Sequence, residues 1–557
     1  MQFIEQNILF MKRSIMLLII IILTLLITQP AISQDVSNSI NQISASDLKS
    51  HVSFLASPLL KGRKNGEDGL EIAGQYIAAQ AKLLGLLPAN GESYFQPYSV
   101  IKRTIDTDKT RVQVISGKKD TLTLKKPLFQ LVPSGPTDYI LEGDIVFAGY
   151  GIKSETYKYN DFVNLNTEDK ILLVMTRAPM SEDGKTFLFE GTQWSSFISL
   201  QFKLSSLLFT RARAVLIVMD PKSGFSSFDD QYPDYAEELS VSINLKGEKS
   251  RVLEFPGMPK IIFIHREVAD ALLKDSEYSL EELQKKIDNS LKPSSFLIKG
   301  KRIKITEASI VQEKVLNNVA GYIEGSDSLL KREIVVYSAH YDHIGTSGNL
   351  VNSGADDNAS GCASLLSMAE AFNSGEKKPL RSLLFLWVSG EEIGLYGSKI
   401  YVNNPLFPIG NTIANLNMDM IGRVKEVADS TEATPMSGPK SIFVITDSQS
   451  KELLSIADEI DKKYPLDFDY SLSGKDHSLQ LFARSDHYNF VRKDIPVLFF
   501  STGLHADYHT PRDVIEKLDF EKMEMATKIM YEIGLNIANR KNRLTVDNPF
   551  SAWGNNK

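Results

Sequence analysis

The chain has 557 residues, which is too long for one typical domain, so we expect two or three. A net charge of -7 and a pI near 5.8 leave no basic excess to neutralise phosphates, which argues against a nucleic-acid partner. The single cysteine, Cys362, excludes an intramolecular disulfide and a thiolate metal cage. Any metal ion must therefore be bound by His, Asp and Glu side chains.

The first residues are typical of an export signal. Lys12 and Arg13 precede a nearly unbroken apolar run over 14–28, and small residues follow at 31–33. The apolar run is shorter than the roughly 20 residues that a membrane-spanning helix needs. We therefore predict a signal peptide over 1–34 and a secreted or periplasmic protein without a stable membrane anchor. An uncleaved anchor is the alternative.

Hydrophobic patterning divides the remaining chain into three parts. Helical periodicity over 43–87 predicts an N-terminal helical part within 35–132. Short β-rich runs predict an inserted β-rich domain over 133–305. From 306 to 545 strands alternate with helices, which predicts an α/β domain with a mostly parallel central sheet flanked by helices. The strands expected in this last part cover 333–338, 383–388, 413–418 and 495–500, and its helices cover 362–372 and 520–538.

Candidate functional residues follow these predicted strands. His340 and Asp342 are two positions apart after the first strand, so they share one side of an extended segment. This spacing suits a metal-bound imidazole whose other nitrogen is held by a carboxylate. Asp357 lies in the small-residue run 354–361, where glycines allow the backbone to approach an ion. Taken singly, these motifs also fit a solvated loop histidine and an aspartate that caps a helix.

Further carboxylates and histidines follow the later strands. Glu391 and Glu392 come after the second strand, Asp419 after the third, and His509 after the fourth. Six of the eight histidines lie in the interval from His340 to His509. An exposed glutamate pair or a solvated aspartate explains each motif alone. It does not explain all five motifs in order at strand ends, which is where open α/β sheets bind their ligands.

Histidine and carboxylate ligands without thiolates suit Zn²⁺, with Mn²⁺ or Co²⁺ as substitutes. Five candidate ligands exceed the three that one open catalytic zinc takes, so we predict two Zn²⁺ ions bridged by one carboxylate. The five are His340, Asp357, Glu392, Asp419 and His509. Glu391 is placed to take a proton from the attacking water and pass it to the leaving amine. The predicted chemistry is metal-assisted amide hydrolysis.

At these residues the sequence resembles the di-zinc aminopeptidase family that includes bacterial leucyl aminopeptidases, glutamate carboxypeptidase II and the transferrin receptor. The resemblance covers the catalytic half and extends to the N-terminal helices through 52–87, with its run FLASPLLKGR. The inserted region, with the segments 143–151 and 170–174, is similar to the protease-associated domain of many members.

The resemblance implies a role for each residue. His340 and Glu392 bind one zinc ion each, Asp419 and His509 complete the two sites, and Asp357 bridges them. Glu391 is the general base and Asp342 orients His340. The resemblance also makes the Asp357–Asn358 peptide bond a candidate for the cis form, and assigns Asp486, His487, Tyr488 and Tyr508 to the surrounding pocket.

The most consistent function is that of an exported aminopeptidase acting on peptides with a free N-terminus. A di-zinc carboxypeptidase or dipeptidase is the nearest alternative, but those enzymes usually carry a domain between the fourth and fifth ligands. A glutaminyl cyclase shares the fold and usually holds one zinc. A receptor-like binding protein would require damaged ligands, and all five are intact. The oligomeric state stays open.

Overall fold

The computed structural model describes most of the chain from Ser39 onward. The described residues are 39–117, 120–133, 138–189, 210–232, 239–247, 259–425, 435–446, 449–475 and 479–552, with Phe202, Lys203, Ser206, Leu207, Ala236 and His477. The predicted signal peptide, 1–34, lies outside them. Within the described residues, no helix is both long and apolar enough to cross a bilayer.

The chain divides into two compact units. One unit, here called the terminal unit, comprises Met1–Tyr98 and Val315–Lys557, and the other, the inserted unit, comprises Ser99–Lys314. The chain passes from one unit to the other within the strands Phe95–Ile105 and Ser309–Ile323.

A mixed sheet forms the centre of the terminal unit. Four neighbouring strands at its centre are parallel, and nearly every residue in them is buried, which explains their continuous apolar sequences. In spatial order these are Ser382–Val388, Ile334–His340, Thr412–Met418 and Val497–Ser501. Ser309–Ile323 and Ser441–Ile445 flank them as antiparallel neighbours, with Asp467–Asp469 beyond the latter. The predicted α/β fold is confirmed; its four central strands are parallel, whereas the sheet as a whole is mixed.

Helices cover both faces of this sheet. Tyr337 contacts Phe372 on one face, with ring centroids 5.9 Å apart, whereas Val336 joins a core with Tyr401 and Phe490 on the other. The α-helices are Ala45–Leu55, Asp68–Leu83, Gly361–Ser374, Tyr396–Asn403, Lys451–Asp461, His487–Val491 and Phe520–Asn539. Single 3₁₀ turns lie at Leu330–Arg332, Ile409–Asn411, Leu481–Ala483 and Ile515–Lys517, and Pro58–Arg63 is a 3₁₀ segment with a kink at Lys61 and Gly62.

The inserted unit contains an eight-stranded sheet over its own apolar core. The strands, in spatial order, are Asp120–Leu124, Arg111–Ser116, Phe296–Glu307, Tyr139–Phe147, Ile171–Met175, Ala214–Val218, Lys260–Ile264 and Phe129–Leu131. The helices Arg266–Leu273 and Leu280–Ser290 pack on it, and Ser279 and Glu282 form a capping box that starts the second one. The unit is β-rich as predicted, but these two helices were not predicted from the sequence.

This unit begins earlier than the sequence predicts, at Ser99 rather than at residue 133. The reason is strand pairing, because Arg111–Ser116 pairs with Phe296–Glu307 at the far end of the same unit. That long-range antiparallel pairing leaves no mark in local sequence. The assignment of the unit as a protease-associated domain stays a prediction.

Candidate metal centre

The carboxyl ends of the parallel strands form one edge of the terminal unit's sheet, and the candidate residues gather there. His340 is the last residue of its strand, and the strands Ser382–Val388 and Thr412–Met418 lie on either side of it. The residues that follow those two strands therefore meet His340 at the same edge. The structure brings together the five predicted ligands and the predicted base, namely His340, Asp357, Glu392, Asp419, His509 and Glu391.

The potential metal ligands form two clusters. The first contains His340, Glu391 and Asp419, and His340 Nε2 lies 3.2 Å from Asp419 Oδ1. The second contains His343, Asp357, Glu392 and His509, with His509 Nε2 3.0 Å from Glu392 Oε2. Within the described chain, none of the carboxylates in these clusters forms an ion pair with a lysine or arginine.

Asp357 links the two clusters. Its Oδ1 atom lies 3.2 Å from Nε2 of His340, and its Oδ2 atom lies 3.2 Å from Nε2 of His509. Each oxygen of one carboxylate therefore faces a histidine of a different cluster. This arrangement suits a carboxylate shared between two neighbouring cations.

The charge of the carboxylates dominates the electrostatics. Burial alone would lower the pKa of His509, but Glu392 and Asp357 raise it to about 11. Burial likewise opposes the charge of His340, and Asp419 and Glu391 nevertheless raise its pKa well above the ordinary value. A site that favours positive charge on both histidines is a site that favours bound cations.

Glu391 differs from the other carboxylates of the site. Burial raises its pKa well above the ordinary value, and Glu392 and Asp486 add to this effect against the opposing charge of His340. Its side chain lines an open pocket beside His340 and Asp419. A carboxylate with a raised pKa that faces a pocket is suited to accept a proton there.

Asp342 contacts the site in a different way from the one predicted. Nδ1 of His340 donates to the backbone carbonyl of Asp342 at 3.2 Å, whereas the Asp342 carboxylate is 3.9 Å away. The carboxylate instead accepts from the backbone N–H groups of Glu391 and Glu392, both at 3.2 Å. Asp342 thus orients His340 through its main chain and fixes the glutamate pair through its side chain.

The turn that carries Asp357 is held by its neighbours. The Asp513 carboxylate accepts from the backbone N–H groups of Asp356 and Asp357, each at 3.1 Å. The Asn358 amide donates to the carbonyl of Met418 at 3.0 Å, which ties the turn to the strand that precedes Asp419. The peptide bond between Asp357 and Asn358 is cis, as the resemblance implied.

Arg63, in the N-terminal helical segment, braces the loops of the site. Its buried guanidinium donates to the carbonyls of Tyr341, Ser353 and Gly354 at 2.8, 2.7 and 3.0 Å. Two residues later, Asn65 donates to the Asp342 carboxylate at 2.6 Å. These contacts give the segment around LLKGR a direct role in shaping the site.

The loop that carries His509 is held by ion pairs. The buried Asp507 carboxylate accepts from Arg423, Arg512 and Lys517 at 2.9, 2.7 and 2.7 Å. His509 itself adopts a left-handed backbone conformation, with φ 56°, which a non-glycine residue adopts only where surrounding contacts enforce it.

A pocket adjoins the first cluster and has an apolar wall. Its polar lining comes from His340, Asp357, Glu391, Asp419, Arg484, Ser501 and Tyr508. Its apolar lining comes from Met420, Ile445, Leu481, Phe499 and Leu504. Arg484 forms no ion pair with any described residue. The pocket can therefore receive an apolar side chain next to the candidate metal ligands.

The other pocket residues suggested by resemblance take different positions. Tyr508 lines the pocket and stacks on His509, with ring centroids 3.8 Å apart. Asp486 is buried, and burial raises its pKa to about 7. His487 packs against Phe499, with a centroid distance of 4.6 Å, and belongs to neither ligand cluster.

Several residues of the site were not predicted from the sequence. His343 joins the second cluster, with Nδ1 2.8 Å from Glu392 Oε1, and its position three residues after His340 was the signal that could have found it. Arg63 and Asp513 act through backbone groups, and Asn65 acts through the Asp342 carboxylate, in each case far away in sequence. No local pattern identifies such contacts.

Comparison with known proteins agrees with this geometry. Residues 318–534 match the model of Peptidase family M28. The matched segment contains both ligand clusters, and it begins within Ser309–Ile323, the antiparallel neighbour of the central parallel strands.

Similar proteins include fungal peptidases. Leucine aminopeptidase 1 of Trichophyton equinum is 27% identical over 259 residues, which cover 44% of this chain and 64% of that protein. The vacuolar membrane protease of Verticillium alfalfae is 39% identical over 82 residues, 15% of this chain and 8% of that protein. The match thus spans less than two thirds of each of these relatives.

Two solved structures share the fold across most of the chain. An aminopeptidase from Aneurinibacillus sp. strain AM-1 aligns with a TM-score of 0.52 at 18% identity, covering 91% of this chain and 97% of that one. BSAP, a zinc aminopeptidase from Bacillus subtilis, aligns with a TM-score of 0.52 at 20% identity, covering 91% and 98%. At these sequence identities, the similarity shows a shared fold and nothing more.

Proposed function

We propose that this protein is an exported metallo-aminopeptidase that holds two Zn²⁺ ions and removes N-terminal residues from peptides. The observation that carries the proposal is the position of Asp357, whose two oxygens each lie 3.2 Å from a different histidine. A carboxylate whose two oxygens face histidines of different clusters is suited to bind two neighbouring cations. The names of the fungal relatives and of the Bacillus structure support the same activity. Export rests on the N-terminal sequence.

The residues present fit two zinc ions. Imidazole nitrogens and carboxylate oxygens are ordinary zinc ligands, and Mn²⁺ or Co²⁺ could replace zinc on the same donors. His340, Asp419 and Asp357 would hold one ion, and Glu392, His509 and Asp357 the other. When bound, two such ions lower the pKa of a water molecule and neutralise the negative charge that develops on the scissile carbonyl oxygen.

Glu391 supplies the proton transfer. Its carboxylate lines the pocket, its neighbours raise its pKa, and Asp342 fixes its backbone N–H at 3.2 Å. In the forward reaction it takes a proton from the attacking water as the C–O bond forms. It then gives this proton to the amide nitrogen as the C–N bond breaks, so that the carboxylate is regenerated. Tyr508, stacked on His509, closes one side of the pocket.

The charge of the site supports an aminopeptidase. Four carboxylates, Asp357, Glu391, Glu392 and Asp419, converge on the pocket and its edge. Two bound Zn²⁺ ions would offset the charge of the three ligand carboxylates, and Glu391, which is not a proposed ligand, would remain as the negative group that attracts the α-ammonium of a free N-terminus. The apolar wall then receives the side chain of the residue that is removed, which favours substrates with a large apolar N-terminal residue.

A carboxypeptidase is the second candidate, and Arg484 is the observation that favours it. Arg484 lines the same pocket and forms no ion pair with the described residues. A free guanidinium at a pocket wall is suited to bind a C-terminal carboxylate in a bidentate manner. The preferred terminus of the substrate separates the two candidates.

The metal content of the full chain tests the two-ion proposal. Chelator-treated protein titrated with Zn²⁺ should bind two equivalents, and peptidase activity should return as zinc is added. Binding of one equivalent at full activity would contradict the bridging role of Asp357. Activity that persists after complete zinc removal would contradict metal-assisted hydrolysis itself.

A further inference from the structure

His343 lies inside the second ligand cluster but outside the predicted set of ligands. Its ring is buried, and Nδ1 is 2.8 Å from Glu392 Oε1 and 3.7 Å from Asp357 Oδ2. Its ring also meets that of His509 edge to face, with centroids 5.6 Å apart. Two imidazoles therefore face the same pair of carboxylates from different sides.

Local structure fixes His343 in this orientation. Its backbone N–H donates to the carbonyl of Arg63 at 3.1 Å, which anchors the residue to the N-terminal segment. Gly354 packs directly on the ring: a Cβ atom there would lie 2.6 Å from Cδ2 of His343. The other ring nitrogen, Nε2, has no hydrogen-bond partner among the described residues, so no competing contact turns Nδ1 away from the carboxylates.

The donor atoms of this cluster lie at separations that one zinc ion can span. Ligand atoms at about 2.0–2.1 Å from a tetrahedral zinc are separated from one another by about 3.3 Å. Oδ2 of Asp357 lies 3.7 Å from His343 Nδ1 and 3.2 Å from His509 Nε2. The two oxygens of Glu392 face one histidine each, with Oε1 2.8 Å from His343 Nδ1 and Oε2 3.0 Å from His509 Nε2. The first cluster has a single histidine, His340.

We infer that His343 is an additional metal ligand of this chain, binding through Nδ1 at the site formed by Asp357, Glu392 and His509. The inference rests on the proposed function, since it concerns one of the two zinc sites. Four protein donors close this site, whereas the site of His340, Asp357 and Asp419 has three and keeps a position for water or substrate. The two sites are therefore unequal, and the four-donor site binds its ion more tightly.

Measuring the zinc affinity of each site tests this difference directly. The full chain, stripped of metal, is titrated with Zn²⁺ in the presence of a competing chromophoric chelator. The wild type should bind two ions in two separate steps. His343→Ala should weaken the tighter step by about tenfold or more and leave the weaker step nearly unchanged. His51→Ala is the matched control, because His51 pairs with Tyr76 at 2.9 Å outside both clusters and should leave both steps unchanged.

A conservative variant distinguishes a metal-binding role of His343 from a hydrogen-bonding role. The side chain of His343→Gln can still donate to Glu392 but is a poor zinc ligand, so affinity should stay low. X-ray absorption with one equivalent of Zn²⁺ should show two imidazoles around the ion in the wild type and one in either variant. Circular dichroism of the metal-free proteins checks that both variants fold.

The outcomes distinguish this inference from the function on which it rests. If the wild type binds two ions and both His343 variants bind them as tightly, the inference is overturned while the two-ion enzyme stands. Recovery of affinity in His343→Gln, or one imidazole around the first ion in the wild type, also overturns it. Failure of the wild type to bind two ions would instead reject the proposed function.

Discussion

Glu391 and Glu392 are adjacent in the chain, yet their side chains enter different ligand clusters. Glu391 lies with His340 and Asp419, and Glu392 lies with Asp357 and His509. The backbone N–H groups of both glutamates are held by the Asp342 carboxylate at 3.2 Å. One short loop thus delivers the proposed proton acceptor to the pocket and a proposed ligand to the neighbouring cluster.

This division predicts the behaviour of Glu391→Gln. Glutamine preserves the size of the side chain but cannot accept the proton, so kcat should fall by about 10²–10⁴-fold. Zinc content should remain that of the wild type, because Glu392 and the other proposed ligands are intact. The checks are kcat on an aminoacyl-anilide and metal analysis of the same sample. A variant with normal turnover would show that another group is the base.

Asp357→Ala should differ from Glu391→Gln in its zinc content. Removing the carboxylate that faces both histidines takes a ligand from each proposed site, so the protein should lose zinc as well as activity. Metal analysis after dialysis against a weak chelator measures this loss, with Glu391→Gln as the variant that keeps its metal. Unchanged zinc stoichiometry in Asp357→Ala would count against a shared carboxylate.

Asp513 should act as a positioning residue. Its carboxylate accepts from the N–H groups of Asp356 and Asp357, so Asp513→Ala should loosen the turn and weaken zinc binding by about 10–100-fold. Excess zinc should restore part of the activity, which a merely unfolded protein could not show. Asp494→Ala, which removes a carboxylate that accepts from the N–H of Ser551, is the control. Equal zinc affinity in both variants would contradict the positioning role.

The buried Lys203 should make the stability of the inserted unit depend on pH. Its buried ammonium donates to the carbonyl of Tyr150 at 2.5 Å, and burial lowers its pKa from 10.5 to about 7. Between these values the unfolded chain holds a proton that the folded chain has lost. The free energy of unfolding should therefore rise with pH from about 7 to about 10, by up to about 1.4 kcal/mol per pH unit.

Urea denaturation of the wild type and of Lys203→Met at pH 7, 8 and 9 measures this contribution. The variant should lack the rise, since methionine fills similar space without a titrating group. Asp161 contributes separately at lower pH, because burial raises its pKa to about 6 and the folded state favours its protonated form. Parallel pH profiles for the two proteins would contradict the prediction for Lys203.

The parts of the fold that could be predicted from sequence are those with buried parallel strands. Ile334–His340 and Thr412–Met418 are covered on both faces, so their apolar runs mark them without further information. Phe296–Glu307 and Arg111–Ser116 alternate buried and exposed positions and carry several charges, and they were missed. Their pairing spans almost the whole inserted unit, which explains why the predicted start of that unit was too late.

The residues of the site also differ in whether local sequence can predict them. Residues such as Glu391 and Asp419 could be predicted because they follow recognisable strands. Arg63 could not be predicted, because it acts on carbonyl groups such as that of Tyr341, 278 positions away. Contacts to the main chain place no requirement on the residue type of the partner, and a single sequence therefore carries no trace of them.

The most direct test of the central claim is hydrolysis of a panel of aminoacyl-anilides and their N-acetylated counterparts by the full-length protein. The account predicts cleavage of the free-amine substrates alone, with leucyl and other large apolar residues preferred. This activity should be lost with chelator and restored by Zn²⁺. Two bound zinc ions without cleavage of any free-amine substrate would contradict an aminopeptidase and would leave the carboxypeptidase suggested by Arg484 as the next activity to assay.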